Sequence, residues 1–136
     1  MDDRQQIMFG FLGGAIIAVD NGYKVFPHPK PDKVYNRLSD AKWFLAVKWC
    51  DNLSVPAGII NNTGELAFLN QVVLEIGEER FIPQDDRLDI FTQCLSLRPN
   101  QTKTYTLASN NKNLEIQGLE IDPRYGKFAL VREILE

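Results

Sequence analysis

The chain is poor in the residues from which metal centres and covalent catalytic sites are built. It holds one histidine, His28, and two cysteines, Cys50 and Cys94, in 136 residues. A structural or catalytic zinc site draws several His and Cys ligands from close spacings, and these three residues offer no such set. His28 stands among prolines in PHPKPDK (27–33) and reads as a solvated connector residue. The two cysteines, 44 positions apart, admit a disulfide across two sheets, but the favoured reading is buried free thiols, which behave as small apolar side chains.

Phosphate-binding and nucleophile motifs are also missing. There is no Walker loop, no Gly-x-Gly-x-x-Gly and no Gly-x-Ser-x-Gly elbow. GFLGG (10–14) lacks the Lys-Ser/Thr that would complete a phosphate cradle, so its glycines read as bends or close-packing points. Charge of one sign is lacking too. The net charge is −3 with both signs interspersed, and no basic stripe is visible, which argues against affinity built on phosphate neutralisation. The apolar stretch Ile7–Val19 has 13 residues, fewer than the roughly 20 that a spanning helix needs. Asp2 and Asp3 precede it where a secretory leader carries positive charge, and no small-x-small cleavage site follows. These absences predict no cofactor, no metal, no nucleic-acid partner, no small-molecule substrate, no membrane insertion and synthesis in the cytoplasm.

What is present is a chain long enough to bury a core without staples. AIIAVDNGYKVF contains Asn21-Gly22, the preferred pair for a two-residue hairpin turn, and predicts an N-terminal arm over 1–26 in which Val19 faces Lys24 and Ile17 faces Phe26. A helix over 3–19 competes, but its interior glycines, Gly10, Gly13 and Gly14, cost about 1 kcal/mol each. Three prolines at alternate positions make 27–33 an extended connector. One or two helical turns follow, with Asp32 as cap and Val34, Tyr35 and Leu38 inward.

The body, 34–136, reads as mainly β. KWFLAVKW alternates, with Trp43, Leu45, Val47 and Trp49 on one face and Lys42, Phe44, Ala46 and Lys48 on the other; a helix is the second reading. FLNQVVLEI alternates except at Asn70, and RLDIFTQCLSL carries apolar residues on both faces, as a central strand does. Turn signals at 62–64, 77–79, 83–86, 99–100, 109–111 and 123–126 separate the runs. The expected fold is an antiparallel β-sandwich with at most one short helix.

Polar clusters have structural readings. Asn62-Thr63-Gly64 fits a strand-to-strand turn. Asp85, Asp86 and Asp89 fit a solvated loop better than a calcium site, which takes more oxygen ligands at regular spacing. Glu115, Glu120 and Asp122 could in principle make a glycosidase-like pair, but any acidic β protein offers such a set. Three Asn-x-Ser/Thr triplets, at Asn52, Asn61 and Asn100, follow from the polar composition of the predicted loops.

GIINNTGE, LSLRPNQTKTYTL and DPRYGKFAL share the turn-then-strand texture of immunoglobulin-like modules, and the stretch 42–136 resembles such a sandwich. Trp49 directly precedes Cys50 and no Tyr lies two residues before Cys94, so the antibody-type disulfide pattern is not part of the resemblance. What the resemblance implies is a fold and no activity.

The remaining candidates are apolar residues placed to meet a partner: Phe9, Phe11, Leu12 and Ile16 in the arm, and Phe44, which lies between lysines. They predict a non-enzymatic protein–protein assembly module that self-associates or joins a larger particle, such as a virion, tail or pilus-like structure. A carbohydrate-type ligand-binding module, with loop Asn and Asp residues around an aromatic platform, is the alternative.

Overall fold

The computed structural model describes residues 6–9, 14–98, 101–122 and 126–134. The chain divides into two compact units, 1–49 and 50–136. The division falls inside a helix, α1 (Leu38–Asn52), and not at the proline-rich stretch.

In the first unit β1 (Gln6–Phe9), β2 (Gly14–Val19) and β3 (Gly22–Phe26) form an antiparallel sheet in that order. The β2–β3 hairpin is the expected one, but its register differs. Val19 pairs with Gly22 and Ile17 with Lys24, which leaves Asp20 and Asn21 at the tip. The reason lies outside the hairpin. Tyr23 and Tyr35 exchange two backbone N–H···O bonds of 2.8 Å. A Cβ on Gly22 would then lie 2.3 Å from the Tyr35 carbonyl oxygen, and Gly22 has φ +151°. The glycine therefore serves a close approach within β3 and not the tip. Because the partner moves by two residues, every side chain keeps its face. Ile16, expected to meet a partner, instead faces inward with Val25 and closes a core with Ala41 and Leu45.

The one or two helical turns expected within DKVYNRLSDA (32–41) are not capped at Asp32; Tyr35 is a bridge residue and only Leu38 onward is helical. Residues 42–49 continue that helix instead of forming a strand. The apolar residues there satisfy both periods. At 3.6 residues per turn Ala41, Leu45 and Trp49 fall on one side and are buried, while Asp40, Trp43, Phe44 and Val47 fall on another. Ala41 and Ala46, which favour helix, and the absence of any turn signal between Leu38 and Asn52 decide the outcome.

The second unit contains β4 (Ala57–Ile60), β5 (Leu66–Leu69), α2 (Gln71–Ile76), α3 (Glu78–Phe81), α4 (Gln84–Leu95), β6 (Thr102–Thr106), β7 (Asn113–Asp122) and β8 (Gly126–Glu133). Its strands form one antiparallel sheet, ordered β5-β4-β8-β7-β6. The antiparallel pairing matches expectation; the limit of one short helix does not. Residues 71–76 and 87–95, expected as strands, are helical, and the turn expected at 83–86 is the start of the second of these helices. Asn70 starts α2 by accepting the Val73 N–H on Oδ1. Pro83, then Asp85 and Asp86 in the first turn, start α4, whose Ile90, Phe91 and Cys94 fall on one buried side. These helices pack on one face of the sheet. Val73, Phe81, Ile82, Ile90, Phe91 and Cys94 meet Ile60, Leu114, Ile116, Ala129 and Val131 in one core.

The opening of the sheet toward α4 is set at Gly118. A Cβ there would lie 2.8 Å from the Cys94 carbonyl oxygen. In an unhindered strand Gly→Ala is mildly favourable. Here Gly118→Ala is expected to lower stability by about 1–3 kcal/mol, because backbone must move to admit the methyl group. Chemical denaturation measures it; an unchanged or raised midpoint would show that the approach is not tight.

The turn after β4 is built around Asn61. Its Oδ1 accepts from the Thr63 N–H, the Thr63 hydroxyl and the Glu65 N–H at 3.1, 2.7 and 3.0 Å, and Gly64 sits at φ +83°. Asn61 Oδ1 is thus occupied by donors of its own turn. Among the described residues no helix is long and apolar enough to cross a membrane.

Candidate functional site

Prolines 27, 29 and 31 carry the chain past α1 in the first unit and bring His28 onto it. The imidazole stacks on Phe44, with ring centroids 4.3 Å apart and 27° between planes. Tyr35 completes the cluster, 5.8 Å from each ring. The hydrogen bonds define the histidine. The Lys30 N–H donates to Nδ1 at 2.8 Å, so Nδ1 is an acceptor, and in the neutral ring Nε2–H donates to the Tyr35 hydroxyl oxygen at 2.9 Å. The Tyr35 proton is left as a donor for an incoming acceptor. Burial first, then the Lys48 cation, hold the His28 imidazole below its ordinary value. Burial, then Asp40, raise the Tyr35 hydroxyl above its own.

Beside this cluster lies a groove of about 420 Å³ lined by Tyr35, Asp40, Trp43, Phe44 and Val47. Lysines rim it. Lys33 Nζ stands 5.4 Å from the centre of the Tyr35 ring and Lys48 Nζ 5.7 Å from that of Phe44, both within cation–π reach. The groove combines aromatic rings and Val47 with the Asp40 carboxylate, and two lysine cations stand over its rings, a mixed surface suited to an amphipathic partner.

The sequence-derived candidates fall in different places. Phe44 is in this site. Ile16 is fully buried in the core of its own unit, against Val25, Ala41 and Leu45, and is not available to a partner there. Phe9 lies in β1, with its side chain outside the described residues, as are Phe11 and Leu12. His28 corrects the reading of a solvated connector residue: it is half-buried, bonded through both nitrogens and stacked.

In the second unit the acids at 85–89 belong to α4 and not to a loop. The Tyr105 hydroxyl donates to Asp89 Oδ2 at 2.7 Å and lies 3.3 Å from Asp86 Oδ1. Burial, then these carboxylates, push that hydroxyl well above its ordinary value. Glu115, from the glycosidase-like set, is held in an ion pair 2.9 Å from Arg132 on the neighbouring strand. Cys50 and Cys94 are free and buried, and burial raises each thiol to about 12. Such thiols are poor nucleophiles at neutral pH. Among the described residues no three His, Cys, Asp or Glu side chains stand together to hold a metal.

Compared with protein-family models, curated proteins and solved structures, the chain matches none.

Proposed function

We propose that this chain is a non-enzymatic protein–protein assembly module that self-associates, as a structural subunit of a virion, tail, pilus-like or comparable particle does. The observation that carries the reading is the α1 groove, whose Tyr35, Trp43 and Phe44 floor is rimmed by Lys33 and Lys48. Aromatic anchors in a concave site, bordered by cations, are the composition of an interface centre. The protonated, buried thiols favour a non-catalytic role in the same way.

The test is mass in solution over a concentration series. Truncation at Asp32 is unsuitable, because it removes β2 and β3 and with them Ile16 and Val25 of the core. Phe44→Ala leaves those residues in place. The wild-type protein is expected to exceed 15.5 kDa with rising concentration, and Phe44→Ala to stay near it, still folded by circular dichroism. A wild-type monomer throughout the series overturns the reading. The aromatic platform of His28, Tyr35 and Phe44 favours carbohydrate binding as the second reading. A monomer that binds oligosaccharide, and loses it in Phe44→Ala, would put that reading first.

A further inference from the structure

We propose that the occupant of the α1 groove is the exposed face of α4 from a second copy of the chain, in a head-to-tail contact. The inference rests on the assembly reading and specifies its partner.

The α4 helix turns Ile90, Phe91 and Cys94 into its own core. Its other side carries Asp85, Leu88, Asp89, Thr92 and Leu95, all exposed. Leu88 is 55% and Leu95 47% exposed, on a helix whose polar side needs no leucine for folding. They stand seven residues apart, two turns and about 10 Å along the axis. The groove side of α1 spans the same length, since Asp40 and Val47, with Trp43 and Phe44 between them, also stand seven residues apart. Two helices presenting i, i+3, i+7 ridges of this kind interdigitate side by side.

Charge supports the pairing. Residues 24–48 hold six Lys or Arg against two Asp, while α4 holds three Asp against one Arg. That arginine is occupied, with Arg87 Nε donating to the Ile82 carbonyl at 3.1 Å. Charge also sets direction. Asp40 lies at the N-terminal end of the groove and Lys48 at its C-terminal end. Repulsion between Asp40 and Asp85 is avoided when α4 runs antiparallel to α1. Asp85 and Asp89 then meet Lys48, and the exposed Arg98 beyond α4 meets Asp40. Antiparallel helices also oppose their dipoles favourably. The groove and the helix are different surfaces of one chain, so each contact joins the groove of one copy to the helix of another.

Complementation tests it. In one variant the groove is reversed in charge, Lys33→Glu with Lys48→Glu. In the other the helix loses its anchors, Leu88→Ser with Leu95→Ser; both leucines are largely out of the core, so the fold is expected to survive. Each variant alone should remain at 15.5 kDa, and an equimolar mixture should form a species of twice that mass and none larger. Only one intact groove and one intact helix meet in the mixed pair, which caps growth. Thr92→Arg, at an exposed position between the leucines, should block assembly by itself and covers the case in which the serine variant fails to fold. If the helix variants self-associate as the wild type does, α4 is not the occupant and the inference fails while the assembly reading stands. If the variants stay monomeric separately and do not combine, the contact is not head-to-tail and the inference fails. A monomeric wild type removes both.

Discussion

Asn70→Leu is expected to destabilise the second unit by about 3–5 kcal/mol, a large part of the 5–15 kcal/mol that a typical domain has in total. Asn70 is 1% exposed. Its Oδ1 accepts from the Val73 N–H at 3.2 Å and the Ala57 N–H at 3.3 Å. Its Nδ2 lies 2.8 Å from the Val55 carbonyl, 3.1 Å from that of Cys50 and 3.4 Å from that of Leu53. One side chain thus caps α2, anchors the first residue of β4 and gathers the loop that follows α1. Leucine has nearly the same volume but leaves these buried groups unpaired, at about 1–3 kcal/mol for each group that water cannot reach. Two further variants divide the effect. Asn70→Ser keeps an oxygen for the helix cap and should recover about 1 kcal/mol relative to leucine. Asn70→Asp keeps both acceptor roles but turns an oxygen toward three carbonyls, so it should be nearly as damaging as leucine. Urea unfolding of the four proteins decides the matter; a loss under about 1 kcal/mol in Asn70→Leu would show that the network is not a structural centre.

Alkaline pH is the second large lever. Both thiols have folded-state values raised by burial to about 12, from an ordinary 9.0. A group with a raised folded value stabilises the protein fully below its unfolded value. Above it the unfolded chain releases the proton, the folded chain retains it, and the stabilisation is lost until the folded value is passed. Each buried thiol should therefore lower stability by about 1.4 kcal/mol per pH unit above pH ~9. Tyr105, bonded to Asp89 and raised in the same direction, adds to the loss from about pH 10 upward. Denaturant titrations at successive pH values should show a steep decline, and Cys94→Ala should reduce its slope by about 1.4 kcal/mol per pH unit whatever the variant costs at pH 7. Equal slopes in the two proteins would mean that the thiol titrates freely in the folded state.

The turns at 62–64 and 109–111 were legible from residues alone, because Gly and Asn limit backbone angles locally, while 78–79 and 84–86 are helical and 99–100 and most of 123–126 lie outside the described residues. What flanked them was not. GIINNTGE does join two strands, β4 and β5, whereas LSLRPNQTKTYTL leads from helix α4 into β6. The texture that resembles an immunoglobulin-like module comes from turn chemistry, which is the same after a helix as after a strand. Alternation misled wherever apolar residues were dense. In KWFLAVKW and RLDIFTQCLSL enough positions are apolar to satisfy a period of 2 and a period of 3.6 together. A single polar residue carried the information in FLNQVVLEI. Asn70, an exception to the strand pattern, is the cap of a helix.

The candidate site was half legible. Phe44 between lysines suggested an anchor, and Lys48 does stand over its ring. His28 and Tyr35 join it only through the backbone bridge from Tyr23 to Tyr35 and the bond from Lys30 to the imidazole. Neither follows from spacing.

By itself the sequence determined the N-terminal hairpin and the turns at 62–64 and 109–111, and it favoured free thiols over a disulfide. These depend on local backbone preference and on the period-2 faces of short strands, which a shift of register by two residues leaves intact. Tertiary structure decided which dense apolar runs became helices, through caps and partners distant in sequence. It also placed the core glycines against Tyr35 and Cys94, and it assembled the His28–Tyr35–Phe44 surface. Those outcomes are set by contacts between segments that share no local pattern, so they become determinate only when the segments are packed together.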